Sequence, residues 1–357
     1  MGQMPAERNL RIDMLRGIAI LLVFLGHTIS GCTVEGTNNV LFNIIWSLQM
    51  PLFMLISGYV TCYSKPLNNR YVLFQYIFKR TVAYMIPWVV WTLLVRGLVL
   101  GEHNYLNLRW ILWHMDSGYW FLFSIWTISM IFGITQYVTS KVISPSKKLC
   151  EFIFHALFYI GCMGGLLCVG LLTSFSFLCI KLTLYYMPFY YLGYLYARYK
   201  NVLLPSKVSV VVSDVLIAVS FFIYIFFIVN FRLYDLSDAL RDVIIRVVSS
   251  LCGCIAVCGL VYKTNERYQL IGDGLVWCGS HSLELYVFHH MALNIVMMAD
   301  KPMFMTPQGL LLTAVNFCLT LVISIFVISI LHHSTILKLL LFGKYFSKPK
   351  QEDRKEE

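Results

Sequence analysis

Three residues near the start of the chain have the types and spacing to do proton and anion chemistry together. They are Asp13, Arg16 and His27, in the run RIDMLRGIAILLVFLGHTIS from Arg11 to Ser30. The run is apolar enough to enter a bilayer, where a charged or titratable group is costly and marks a functional site by default. On a helix, Arg16 and His27 point within roughly 20° of each other and lie about 16 Å apart along the axis. Asp13 precedes Arg16 by one turn and can pair with it on the same face. The stripe Asp13, Arg16, Ile20, Val23, His27 therefore sets a cation near one mouth of a buried cavity and a base deeper inside it. Separately, Asp13 and Arg16 read as anchors at the membrane edge and His27 as a packing residue. Three polar groups in register on one face favour function.

A second stretch, GSHSLELYVFHH from Gly279 to His290, carries Ser282, Tyr286 and His289 on one helical face. Glu284 falls off that face and, inside a membrane, needs a partner. His289, with His290 next to it, reads equally as a functional group or as a helix-to-helix hydrogen bond. Two further groups stay open in the same way. Lys79 and Arg80 are either interfacial anchors or, with Arg16, a grip on a phosphorylated cytoplasmic ligand. The run from Tyr119 through Trp120 to Leu122 is either an aromatic belt or a sugar-binding surface.

The elements that must position these residues follow from composition. The 357-residue chain is 59% hydrophobic and only 13% charged, with a mean hydropathy of +0.71. Soluble domains carry about a quarter charged residues, so an all-α, polytopic membrane protein is expected. Ten apolar spans can be placed, near 10–30, 40–62, 79–100, 118–138, 150–172, 176–197, 208–230, 242–262, 277–299 and 309–332. Three-quarters of the 28 Lys and Arg residues fall on one side of this arrangement. The positive-inside rule then puts both termini in the cytoplasm. Residues 1–335 form one transmembrane domain, and 336–357 read as a basic, mixed-charge and disordered cytoplasmic tail. Lys181, Arg246, Asp214 and His155 sit near span ends and are expected to snorkel.

The net charge of +10 belongs mostly to short loops, so no nucleic-acid partner is expected; the partner is the lipid bilayer. Most of the eleven cysteines are embedded in apolar runs, where they act as small hydrophobes. No Cys or His spacing matches a metal site, so neither disulfides nor a metal is expected. The phrases QMPLFMLISGYV (Gln49 to Val60) and MPFYYLGY (Met187 to Tyr194) read as two kinked packing helices, with Gly58 permitting close approach.

IDMLRGIAILLVFLGH resembles the opening signature of the membrane acyltransferase 3 family, including the Arg16-to-His27 spacing. QMPLFMLISGYV, the run of Lys79, Arg80 and Ile86-Pro87-Trp88, Trp120-Phe121-Leu122, and SLELYVFH resemble later phrases of the family in the same order. Within it the chain looks most similar to stand-alone bacterial polysaccharide O-acetyltransferases of the fucose 4-O-acetylase type. The resemblance implies transfer of an acetyl group from cytoplasmic acetyl-CoA to a sugar hydroxyl, in the bacterial cytoplasmic membrane, with an acyl-CoA donor and a glycan acceptor as partners. It implies His27 as catalytic histidine, Arg16 as its partner and Arg80 as the basic residue of the third helix.

The residues fit that chemistry. A buried neutral imidazole takes the proton of an attacking hydroxyl; Asp13 orients Arg16; and Arg16, Lys79 and Arg80 hold CoA phosphates. Tyr286, His289 or Ser282 would stabilise the oxyanion. Trp120, Ser282 and Glu284 are the candidate acceptor contacts. The rival readings are a glycan or lipid-linked-sugar flippase using Arg16 and His27 as a polar path, and a non-catalytic scaffold. The first is weakened by the lack of convincing paired halves, and the second leaves the buried charges unexplained.

Overall fold

A computed structural model describes residues 9–144, 147–203, 209–263 and 269–344. Within these residues the chain is all-α. Its helices are α1 (Leu10–Cys32), α2 (Val40–Thr61), α3 (Arg70–Val89), α4 (Leu108–Trp113), α5 (Trp120–Val142), α6 (Lys148–Leu172) and α7 (Ile180–Leu203). They continue with α8 (Ser209–Asn230), α9 (Leu240–Lys263), α10 (Gln269–Ser280), α11 (Ser282–Phe288), α12 (Pro307–Leu331) and α13 (Thr335–Phe342). Among the described residues, eight helices are long and apolar enough to cross a membrane. Two compact units are present. The first comprises the segment up to Lys65 with Lys181–Ser329, and the second Pro66–Ile180 with the segment from Ile330.

Local chemistry sets where the early helices begin. Asn9, Asn39 and Asn69 each accept a backbone N–H of the following turn, from Arg11 (3.2 Å), Phe42 (2.9 Å) and Tyr71 (2.9 Å). A side-chain oxygen at this position satisfies a donor the helix itself leaves open. α1 stops where Thr33 turns extended, its hydroxyl donating to the Ile29 carbonyl at 2.6 Å.

In the first unit α1 packs most extensively on α10 and α2. The α1–α10 crossing is backbone against backbone. A Cβ at Gly17 would lie 2.1 Å from the Leu275 carbonyl oxygen, and one at Gly279 would lie 1.7 Å from that of Asp13. The α2–α7 crossing repeats the device, with Gly58 against the Tyr190 carbonyl (1.8 Å) and Gly193 against that of Leu55 (1.9 Å). Thr61 and Tyr190 hydroxyls bond across it at 2.7 Å. The two Pro-to-Gly phrases are thus packing helices, seated on each other.

The expected ninth span, 277–299, is a continuous helix in neither half. It runs as α10, α11 and a 3-10 turn over His289–Met291, then as irregular chain to α12. Backbone without helical partners has to find others before it can sit inside a membrane protein. Here α12 supplies them. Asn316 receives the Val296 N–H at 3.0 Å and donates to its carbonyl at 2.9 Å, and Thr320 donates to the Ala292 carbonyl at 2.8 Å. The sixth span exists as α7 but is not among the eight most apolar helices, because its faces are lined with tyrosines.

Arg246, expected to snorkel, is buried instead. Its Nη2 donates to the Ser237 carbonyl at 2.6 Å and to Asp238 Oδ1 at 3.3 Å, and its guanidinium lies 5.9 Å from the Trp46 ring. Asp238 also accepts from Lys181 Nζ at 2.7 Å. These cations, the Lys181 bond foremost, hold its carboxyl below the usual carboxylate range. The burial follows from partners the α8–α9 loop brings in, which membrane-edge position alone does not reveal.

In the second unit α3 continues past Pro87 as a ten-residue π-helix, Val90–Val99. A proline that cannot donate is a common cause of such a register change. His155, another residue expected to snorkel, is buried against Phe132 with ring centroids 5.4 Å apart. The region from 336, expected to be tail, is helical to Phe342: Ser334 caps α13, Phe342 is buried, and Gly343 closes the helix with a φ of 63°. A Cβ there would also meet the Ala83 carbonyl of α3 at 2.5 Å. The apolar run TILKLLLF explains the helix. The remainder of the expected tail, from 345, lies outside the described residues. All eleven cysteines are free thiols.

Candidate active site

The first unit brings the early helix and the late broken segment together at three imidazoles. The His27 ring lies 5.2 Å from that of His289 and 4.9 Å from that of His290, while His289 and His290 are 4.2 Å apart. Phe24, one turn before His27, stacks on His289 at 5.1 Å and 24°. Tyr286 closes the group at 5.8 Å from His289. His289 is 0% exposed, whereas His27 and His290 are half-buried. Burial in aromatic and apolar surroundings fixes ring positions that a solvent-facing histidine would not keep.

One hydrogen bond fixes a protonation pattern. His289 Nδ1 lies 2.6 Å from the Tyr286 carbonyl oxygen. A carbonyl only accepts, so Nδ1 carries the proton, and Nε2 of the neutral ring keeps a lone pair. That Nε2 is buried and has no hydrogen-bond partner among the described residues. The break that ends α11 at Phe288 makes the bond possible, because the tighter 3-10 turn brings the ring back over the preceding carbonyl. One nitrogen from each of His27, His289 and His290 lies within 4.8 Å of one from each of the others.

Asp13 and Arg16 pair as expected, with Nη1 3.5 Å from Oδ1, and Asp13 is buried where α10 crosses it. The Arg16 side chain remains 29% exposed, open to a ligand. It shares a helix with His27 but not a contact shell, being about 16 Å away along α1. Tyr286 and His289 therefore join His27, while Asp13 and Arg16 form a separate pair lower on the same helix. Ser282 opens α11 and is half-buried, and Glu284 is wholly buried.

The other expected site residues lie in the second unit. Arg80 donates to the Tyr84 hydroxyl at 3.1 Å and sits 5.4 Å from the Tyr76 ring centre. Lys79 is exposed, and Trp120 stands edge-on to Phe121 at 6.0 Å.

Two residues were not singled out by sequence. His290 completes the imidazole cluster, and its only signal was adjacency to His289. Gln49 Oε1 is buried without a hydrogen-bond partner, and a Cβ on Gly26 would lie 3.4 Å from it. That places a polar acceptor on α2 beside the residue preceding His27. Its signal was an amide in an apolar span, a feature it shares with Asn43.

Comparison with known proteins gives the family of the chain. A family profile described as an acyltransferase domain matches residues 9–333, a span holding every residue of the cluster. Two nodulation proteins called NolL are similar. The one from Sinorhizobium fredii is 24% identical over 54% of this chain and 50% of its own. The one from Mesorhizobium japonicum is 26% identical over 55% of this chain and 51% of its own. The chain thus spans about half the length of the curated relatives it matches. No solved structure matches. With the profile covering nearly all of the described residues, the chain belongs to the acyltransferase 3 family.

Proposed function

We propose that this protein is an integral membrane O-acyltransferase that moves an acyl group, acetyl in the first instance, from cytoplasmic acyl-CoA to a hydroxyl of a bacterial cell-surface glycan or its lipid-linked precursor. The observation that carries the reading is the clustering of His27 with His289, on which Phe24 stacks, and His290 within the family's domain. The protein sits in the cytoplasmic membrane with both termini on the cytoplasmic side, in keeping with its basic loops.

A sugar hydroxyl attacks poorly until a positioned base takes its proton. His27 accepts that proton as the hydroxyl oxygen bonds to the thioester carbonyl carbon. The carbonyl becomes an oxyanion, and the Tyr286 hydroxyl is the donor that meets it. When the intermediate collapses, the carbon–sulfur bond breaks and the His27 proton passes to the leaving thiolate, giving ester and free CoA. His289, its Nδ1–H committed to the Tyr286 carbonyl, keeps an Nε2 lone pair beside the His27 ring, 5.2 Å away between centroids. Arg16, braced by Asp13, binds CoA phosphate. Ser282 is the acceptor contact in this unit. Glu284 is wholly buried, which suits holding α11 better than touching a sugar.

Membranes containing the protein, incubated with radiolabelled acetyl-CoA and isolated surface glycan, should put alkali-labile label into the glycan. Glycan that crosses the membrane without acquiring label would replace this reading with transport.

A further inference from the structure

The three imidazoles have a second capacity that the acyl-transfer scheme does not use. We propose that His27, His289 and His290 together bind a divalent transition-metal ion, Zn²⁺ or an ion of similar preference, and that the bound ion silences His27. The inference joins two independent observations. The first is spatial: one ring nitrogen from each histidine lies within 4.8 Å of the others. Three nitrogens at about 2.0–2.1 Å from a tetrahedral metal stand roughly 3.4 Å from one another, so side-chain adjustments of about an ångström complete the site.

The second observation is electronic. His289 is 0% exposed, its Nδ1–H is held by the Tyr286 carbonyl at 2.6 Å, and its buried Nε2 has no hydrogen-bond partner. A metal-ligating histidine commonly has this arrangement: the far ring nitrogen donates to a carbonyl, which fixes the tautomer and turns the other lone pair to the ion. Half-buried His27 and His290 leave a path for an ion and a fourth position for water. Imidazole donors select zinc, copper, cobalt and nickel over magnesium and calcium.

Binding needs no substrate and does not depend on the acyl-transfer reading. Its consequence does: with its lone pair on the metal, His27 has no electron pair for a hydroxyl proton. Free Zn²⁺ would therefore act as a reversible inhibitor that a chelator removes.

Full-length protein in detergent micelles is titrated with Co²⁺, whose d–d absorption reports tetrahedral nitrogen ligation, and then with Zn²⁺ in competition. One Co²⁺ per chain is expected, displaced by Zn²⁺ and indifferent to a millimolar excess of Mg²⁺. His290→Ala, on a half-buried residue, should weaken binding at least about 100-fold, since losing a ligand exceeds the 10- to 100-fold cost of losing a ligand's outer partner. His289→Gln provides a second variant for the case in which His290→Ala does not fold. Absence of the Co²⁺ spectrum overturns the proposal, and so does binding that both variants retain, because the ion would then reside on other histidines. A bound ion that leaves acetyl transfer unchanged would overturn the silencing, and would also remove His27 from its role as base.

Discussion

α1 and the segment from α10 to the turn at His290 make an instructive pair. Both are apolar, both carry a carboxylate and a histidine, and both read as one membrane span. α1 is one: 23 residues of unbroken helix in which the expected stripe survives intact. The late segment is instead two helices of 12 and 7 residues, a 3-10 turn and a loop. Helical periodicity located His27 because nothing interrupts the period before it. It placed His289 on a face with Ser282 and Tyr286, yet the contacts of His289 arise where the helix ends. The uninterrupted helix provides a fixed position, and the interrupted one turns a ring towards it.

Removing each histidine should separate these roles. His27→Ala should lower acetyl transfer by about 10²–10⁴, the usual contribution of a positioned general base, with expression and detergent elution profile unchanged. His289→Ala should cost less, about tenfold, and His289→Gln should recover part of it by offering an acceptor near the Nε2 position. Equal losses in both variants would mean that the two segments share one task. Steric disruption tests the scaffold beneath them. Gly17→Leu on α1 and Gly279→Leu on α10 each push side-chain atoms into a facing carbonyl. Each should destabilise by about 1–3 kcal/mol or more, read as a lower midpoint of thermal aggregation in detergent.

Asn316→Ala should act on the late segment alone. It removes both bonds to Val296 and should cost about 1–3 kcal/mol. Faster hydrogen exchange over 292–306 and no change in α1 is the expected pattern. The smallest effect belongs to the loop ion pair of Lys181 with Asp238. The Asp238 carboxyl is held below its usual value, so its contribution is present above pH 3.8, the ordinary value, and fades as pH falls through the lower folded value. Because both groups are largely exposed, Lys181→Met should change stability by less than about 1 kcal/mol near neutral pH, and by nothing measurable in strong acid.

Much of the scaffold was legible in the chain. Apolar runs gave nine of the ten expected spans as helices, because a stretch long enough to cross a bilayer has few other ways to satisfy its backbone. The ninth escaped because averaged hydropathy does not register where Asn316 and Thr320, far along the chain, substitute for helical bonds. The site was half legible. Asp13, Arg16 and His27 lie within two helical lengths of one another in sequence and could be placed by geometry. The imidazole cluster is built from opposite ends of the chain, so no local spacing could disclose it, and the expectation of no metal site rested on local spacing alone. Arg246 failed for a related reason: the α8–α9 loop folds Ser237 and Asp238 back onto it, and the Trp46 ring reaches it from α2.

The bonds from α12 to Ala292 and Val296 have a mechanical consequence. α12 has 25 residues and is about 37 Å long, against a hydrocarbon layer of about 30 Å, long enough to span with some tilt. Its bonds to Ala292 and Val296 tie that helix to the chain just after the His289 turn, so a change in its tilt would reach the site. Reconstitution in short-chain and long-chain phospholipids should give different turnover from the same polypeptide.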